Sequence, residues 1–169
     1  MTESGTVTKT WLTAEAHERL QAALAEMTGP VRADIVRKIE AARDEGDLKE
    51  NGGYHAAKDE QGKLEARIRQ LTQLLRDVRV AVRPSGDVVE EGCLVSVNYG
   101  TAEDPDIETF LFANRENATE DGGKIGTLDV FSPESPIGQA LNGLRKGDSV
   151  TFGPKSITVT VTDIRPYEA

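Results

Sequence analysis

Two hydrophobic periodicities divide the chain. Leu20, Leu24, Met27, Val31, Ile35, Ile39 and Ala42 follow one another at steps of three and four, which gathers apolar side chains on one stripe of an α-helix. A second series, Tyr54, Ala57, Gln61, Leu64, Ile68, Leu71, Leu75, Val78 and Val82, keeps the same alternation of steps without a lapse. Such a heptad seam holds one face toward a partner helix, and the nearest partner is the first helix returning antiparallel. Glu65, Arg67, Arg69 and Arg76 flank the seam as a solvated face would, so a free-standing hairpin is expected rather than one buried in a bundle. Past Arg83-Pro84-Ser85-Gly86-Asp87 the period drops to two. Cys93/Val95/Val97/Tyr99, Ile107/Thr109/Leu111, Leu128/Val130 and Ile157/Val159/Val161 alternate with polar neighbours and read as half-buried strands.

Local signals set the boundaries between these elements. Residues 1–12 are rich in Ser and Thr and read as a flexible arm ending at Trp11-Leu12, with Thr13 as the N-cap of the first helix. Thr28-Gly29-Pro30 interrupts the first stripe; proline removes a helix hydrogen bond, so a kink is expected, or a restart with Pro30 near the first helical position. Ser135-Pro136, then Ile137, Ala140, Leu141 and Gly143, carry the start and stop of a short helix. The predicted fold class is α+β: a coiled-coil hairpin over 13–83, then a small antiparallel sheet with one short helix over 84–169. About 28 residues per helix make a rod roughly 40 Å long.

Composition narrows the function classes. No apolar h-region opens the chain and no run of eighteen apolar residues occurs, so neither secretion nor membrane insertion is indicated and a cytoplasmic setting is expected. The single cysteine, Cys93, cannot form an internal disulfide, and its place in a strand pattern predicts a buried thiol rather than a nucleophile. The net charge of −9 is uneven: residues 1–84 hold 14 Lys+Arg against 14 Asp+Glu, residues 85–169 hold 6 against 15. An acidic second half repels a polyanion, so little autonomous DNA binding is expected.

The candidate chemistry lies in the tip, residues 44–53, where Asp44, Glu45, Asp47 and Glu50 fall within seven positions. Gly46, Gly52 and Gly53 supply the freedom to reverse direction. Asp47 followed three residues later by Glu50 has the spacing of a helix capping box. The same two carboxylates also offer the hard oxygen ligands that Mg²⁺ prefers, though two hold it only weakly without ligands from a partner. His55, beside the seam with no second histidine or cysteine near it, reads as solvated or hydrogen-bonded. A slender hairpin has no concave pocket of its own, so the chain reads as a cofactor to another enzyme.

Glu45-Gly46-Asp47-Leu48-Lys49-Glu50-Asn51, then Tyr54-His55-Ala56-Ala57, the heptad helix, and Ser132-Pro133-Glu134-Ser135-Pro136-Ile137-Gly138-Gln139-Ala140-Leu141 together resemble the Gre transcript-cleavage factors of bacterial RNA polymerase. The GreA branch fits best, and Gly52-Gly53 resembles the actinobacterial form of the motif. The resemblance implies an FKBP-like C-terminal domain docked on the rim of the polymerase secondary channel, with Ser132, Pro133, Ser135, Pro136 and Ile137 as candidate contacts. It implies that the hairpin enters the channel as a monomer. There Asp47 and Glu50, supported by Asp44, Glu45, Asn51 and Tyr54, would share Mg²⁺ with the polymerase and stimulate cleavage of the backtracked RNA 3′ end. Three other readings stay open. An inhibitory homologue could occupy the same channel without cleavage, the C-terminal fold could be a peptidyl-prolyl isomerase, or the chain could be an interaction module with no chemistry at the tip.

Overall fold

The computed structural model describes residues 9–46, 49–119 and 122–168, and the chain separates into two units, one of residues 17–77 and one of residues 1–16 with 78–169. Both are built as α+β reasoning expects, helices in the first and sheet in the second.

In the helical unit the chain runs through α1 (Ala14–Glu26), a π-helical turn (Met27–Val31), α2 (Arg32–Asp44) and α3 (Gly52–Arg76). Thr13 caps α1 as expected, its Oγ1 accepting from the Ala16 amide at 3.0 Å. Pro30 does not restart the helix. The turn widens instead, and the Arg32 amide reaches back to the Met27 carbonyl, five residues earlier. Thr28 Oγ1 donates within the preceding turn, 2.9 Å from the Leu24 carbonyl and 3.3 Å from that of Ala25. The extra residue in the wide turn moves Val31 off the stripe, leaving it 38% exposed. Arg32 takes the position facing α3, where its guanidinium grips the Glu65 carboxylate through two bonds of 2.9 and 3.0 Å. Glu65 is therefore a cross-hairpin partner, not part of a solvated flank. Past the turn the seam runs as the heptads predict, with Ile35, Ile39 and Ala57 buried together and Tyr54 and Leu64 packed against them.

The heptad pattern overruns its helix. α3 stops at Arg76, and Val78–Val80 is a strand, β2, paired in parallel with β1 (Thr10–Leu12), the end of the expected flexible arm, whose residues 1–8 lie outside the described residues. Backbone pairing and burial of Trp11 and Leu12 outweigh the helical spacing of Val78 and Val82. The helical unit accordingly ends at Asp77, and the chain from Val78 onward belongs with the sheet unit.

The larger sheet has the order β5-β6-β4-β3-β8-β7, with β3 (Cys93–Asn98), β4 (Ile107–Phe112), β5 (Lys124–Ile125), β6 (Leu128–Phe131), β7 (Ser149–Phe152) and β8 (Ile157–Pro166). It is mixed rather than wholly antiparallel, because β4 and β6 pair in parallel. β3 alternates as predicted, burying Cys93, Val95 and Val97 with Phe110, Phe112, Val159, Val161 and Leu141. Leu141 comes from α4 (Pro136–Leu141), which Ser135 caps by accepting from the Gly138 amide at 3.1 Å. β4 breaks the alternation: Ile107 is 58% exposed, whereas Phe110, Leu111 and Phe112 are all buried. Its second face is covered too, with Leu111, Ala113 and Val130 packed against Trp11. Trp11 Nε1 donates to the Val82 carbonyl at 2.8 Å, and its ring stands edge-on to Tyr167. Gly92, at φ +95°, passes so close that a Cβ there would lie 2.8 Å from the indole.

Candidate functional site

The hairpin tip is assembled by helix ends. α2 runs out at Asp44, whose following residue Glu45 still points its amide to the Ala42 carbonyl at 3.3 Å. Gly46 then turns the chain at φ +125°, a backbone conformation that side chains rarely adopt. Gly52 and Gly53, expected to share that duty, are instead the first two residues of α3 with no positive φ. Asp47 lies outside the described residues. Asp44, Glu45 and Glu50 are all exposed.

The cap of α3 is Asn51, not Asp47, and Glu50 precedes the helix, so the capping-box reading fails. Asn51 Oδ1 accepts from the Tyr54 amide at 3.0 Å while Asn51 Nδ2 donates to the Ala42 carbonyl at 2.6 Å. One side-chain amide thus ties the end of α2 to the start of α3. Around this tie, Tyr54 is half-buried between the Arg43 guanidinium, 5.9 Å above its ring, and the edge-on His55 ring at 5.6 Å. His55 Nε2 lies 3.2 Å from the Lys49 carbonyl, so that nitrogen carries the proton and donates. This is the hydrogen-bonded role its isolation suggested.

Among the described residues no three His, Cys, Asp or Glu side chains gather into a set able to hold a metal ion. The carboxylates at the tip present hard oxygens in chemistry suited to Mg²⁺, but too few to complete six-fold coordination. Beside the tip, Lys38 sits 3.4 Å from both Glu60 and Asp34, and Glu60 first, then Asp34, holds its ammonium above the ordinary lysine range.

The second group of candidate residues lies in the sheet unit. Ser132 is buried and Ile137 packs against the core, while Ser135 bonds back to the Ser132 carbonyl at 2.7 Å and caps α4. Gly138 allows this closeness, since a Cβ there would collide with the Ser132 carbonyl oxygen. The Ser-Pro motif therefore builds the entry of α4 and leaves Glu134, Pro136 and Gln139 as its exposed surface. Next to it opens a polar cleft of about 380 Å³ lined by Arg79, Glu90, Glu91, Asn114, Ser132 and Glu134 among others. Glu91, its side chain only 11% exposed, lies 3.7 Å from Arg79. Burial pushes the Glu91 carboxyl above the usual carboxylate range, against the opposing pull of the Trp11 amide, Arg79 and the Asn114 amide. Nothing in the spacing of the sequence flagged this residue, because its partners come from β1, β2 and the turn after β4. Cys93 is buried as expected, and burial raises its thiol.

Both halves of this architecture match one family. The family model for the N-terminal region of transcription elongation factors covers residues 10–80, and that for the GreA/GreB C-terminal region covers residues 84–166. The chain belongs to the GreA/GreB transcription elongation factors. Its relatives include GreA of Streptomyces coelicolor, 46% identical over 162 residues and 94% of each chain, and GreA of Streptomyces avermitilis, 44% identical over 163 residues and 94% of each. GreA of Mycobacterium tuberculosis is 42% identical over 164 residues, 95% of this chain and 96% of its own. These matches place the chain in the GreA branch. A solved structure, GreA factor homolog 1 of Thermus thermophilus, is 24% identical, covers 93% of this chain and 99% of its own, and has a TM-score of 0.42. No helix among the described residues is long and apolar enough to cross a membrane.

Proposed function

We propose that this elongation factor binds bacterial RNA polymerase, inserts its hairpin into the secondary channel and stimulates the polymerase's own cleavage of backtracked RNA. The observation that carries the reading is the tip: exposed carboxylates, including Glu50, presented at the end of a tied helical hairpin. α3 alone, with 25 residues, is about 37 Å long, enough to carry a side chain from a protein's surface to a buried site.

Glu50 and, by motif position, Asp47 would hold a Mg²⁺ ion whose remaining ligands come from the polymerase and RNA. When bound between the two partners, such an ion lowers the pKa of water and stabilises charge building at phosphorus. The work of this chain is placement: Glu50 and Asp47 offer oxygens, the helices deliver them, and the sheet unit docks through the exposed surface beside Ser132–Ile137. Mg²⁺ at the tip is thus shared, and the factor is not a nuclease by itself.

The test is RNA cleavage by a stalled, backtracked elongation complex with the wild-type factor, with Asp47→Ala or Glu50→Ala, and with the factor but no polymerase. Wild type is expected to accelerate cleavage and each variant to lose at least about a hundredfold of that acceleration while still binding polymerase. Exposed residues that neither cap a helix nor join the seam cost little stability when truncated, about 0.5 kcal/mol or less. Full stimulation by either variant would remove the tip from the chemistry. Binding without cleavage by wild type would identify the factor as an inhibitory occupant of the channel.

A further inference from the structure

Asn51 bonds both helices at the tip, and its geometry uses the amide's two ends differently. The oxygen accepts from the Tyr54 amide at 3.0 Å, and the nitrogen donates to the Ala42 carbonyl at 2.6 Å. A carboxylate could serve the first contact but not the second, because its other oxygen would face the Ala42 carbonyl oxygen. A hydroxyl could cap Tyr54 but is too short to span to α2 as well. Only an amide of this length meets both demands. A second bond, from His55 to the Lys49 carbonyl, fastens the same segment to the first turn of α3. Glu50 lies directly between Lys49 and Asn51, the two points where the turn is held.

We propose that Asn51 is a positioning residue for Glu50: it closes the hairpin end and fixes the turn from which that carboxylate is presented. The inference rests on the cleavage reading for its catalytic consequence, and the closure itself stands apart from it. Helix capping alone would be satisfied by Asp or Ser, both strong N-caps. Positioning by closure is satisfied by neither. The two substitutions therefore separate the roles, and they differ in charge, so an effect of added negative charge would appear in Asn51→Asp only.

The experiment measures two things on the full-length factor and its Asn51→Asp and Asn51→Ser variants. The first is ¹⁵N relaxation of the Lys49 and Glu50 amides in the free protein, alongside thermal unfolding of the helices. The second is cleavage by a backtracked complex across a range of factor concentrations, which separates maximal rate from half-saturating concentration. Both variants are expected to keep the wild-type helical content. Their Lys49 and Glu50 amides should gain fast motion, and the maximal cleavage rate should fall tenfold or more with half-saturation shifted less than twofold, since placement and not docking has been lost. The inference is overturned if the two amides stay as ordered as in wild type, or if either variant cleaves at the wild-type maximal rate. If wild type itself gives no cleavage, the relaxation result still decides the closure, and the cleavage reading alone falls.

Discussion

Glu91 shows how much of this molecule's chemistry is fixed by which segment a residue meets. Its carboxyl is surrounded by the Trp11 and Asn114 amides and Arg79, yet desolvation dominates and raises its pKa. A carboxyl whose folded-state pKa exceeds its unfolded value binds its proton more tightly when folded. Its contribution to stability is therefore complete below the unfolded value near 4.3 and is lost as pH rises through the folded one. Glu91→Gln removes the titration while keeping a polar side chain of the same size. The stability of this variant relative to wild type should be more favourable at pH 7 than at pH 4, measured by denaturant unfolding followed through Trp11, the only tryptophan. A gap that is flat across that range would mean that Arg79 and the two amides balance burial, and one that moves the other way would mean that they outweigh it. The buried thiol of Cys93 and the hydrogen-bonded His55 were legible from pattern and isolation. Asn51 as the helix cap was not, since Asp47 and Asn51 are equally good capping residues and only the helix start at Gly52 distinguishes them.

At the scale of elements, spacing predicted the helices and tertiary pairing corrected their ends. The seam from Tyr54 to Leu71 follows its heptads, but the same rhythm runs on through Val78, in a strand, to Val82 beyond it, because the partner of Val78–Val80 is the Thr10–Leu12 backbone. A 3.5-residue repeat cannot announce that its partner has changed. Nor can it show the π turn, which shifts the register by one residue and exchanges Val31 for Arg32 at the interface. The exchange makes the Arg32–Glu65 pair the polar contact that takes over from the apolar seam. Its side chains are 40% and 35% exposed, so solvent screens it and its value is that of a surface pair with good geometry. A double-mutant cycle with Arg32→Ala and Glu65→Ala, read by helical ellipticity during unfolding, should give a coupling of about 0.5–1 kcal/mol. Raising salt to about 1 M, where the Debye length is near 3 Å, should reduce it. Zero coupling at low salt would leave the wide turn without its proposed partner across the hairpin.

At the scale of the whole molecule, the sheet unit is discontinuous in sequence, and this governs what can be cut out of it. The composition break at Arg83-Pro84 invites a fragment of residues 85–169, and such a fragment contains all six strands of the larger sheet. It lacks β1 and β2. One face of the sheet would keep its core of Val95, Val97, Phe110, Phe112, Val159, Val161 and Leu141. The other would lose Trp11 and expose Leu111, Ala113 and Val130. Removing a buried tryptophan costs about 3–5 kcal/mol where it has been measured by truncation to alanine, a large part of the 5–15 kcal/mol that holds a domain folded. The pairing of β1 with β2 and the Trp11–Val82 hydrogen bond are lost as well. Fragment 85–169 should therefore bind a hydrophobic dye and unfold at a lower temperature than the sheet unit within the intact chain, or fail to fold at all. Trp11→Ala in the full-length protein should show the same defect in weaker form, with the helical hairpin intact by ellipticity. If 85–169 folds with the stability of the intact unit and binds no dye, then β1 and β2 are accessory, and the break at Arg83-Pro84 is the true edge of an autonomous domain.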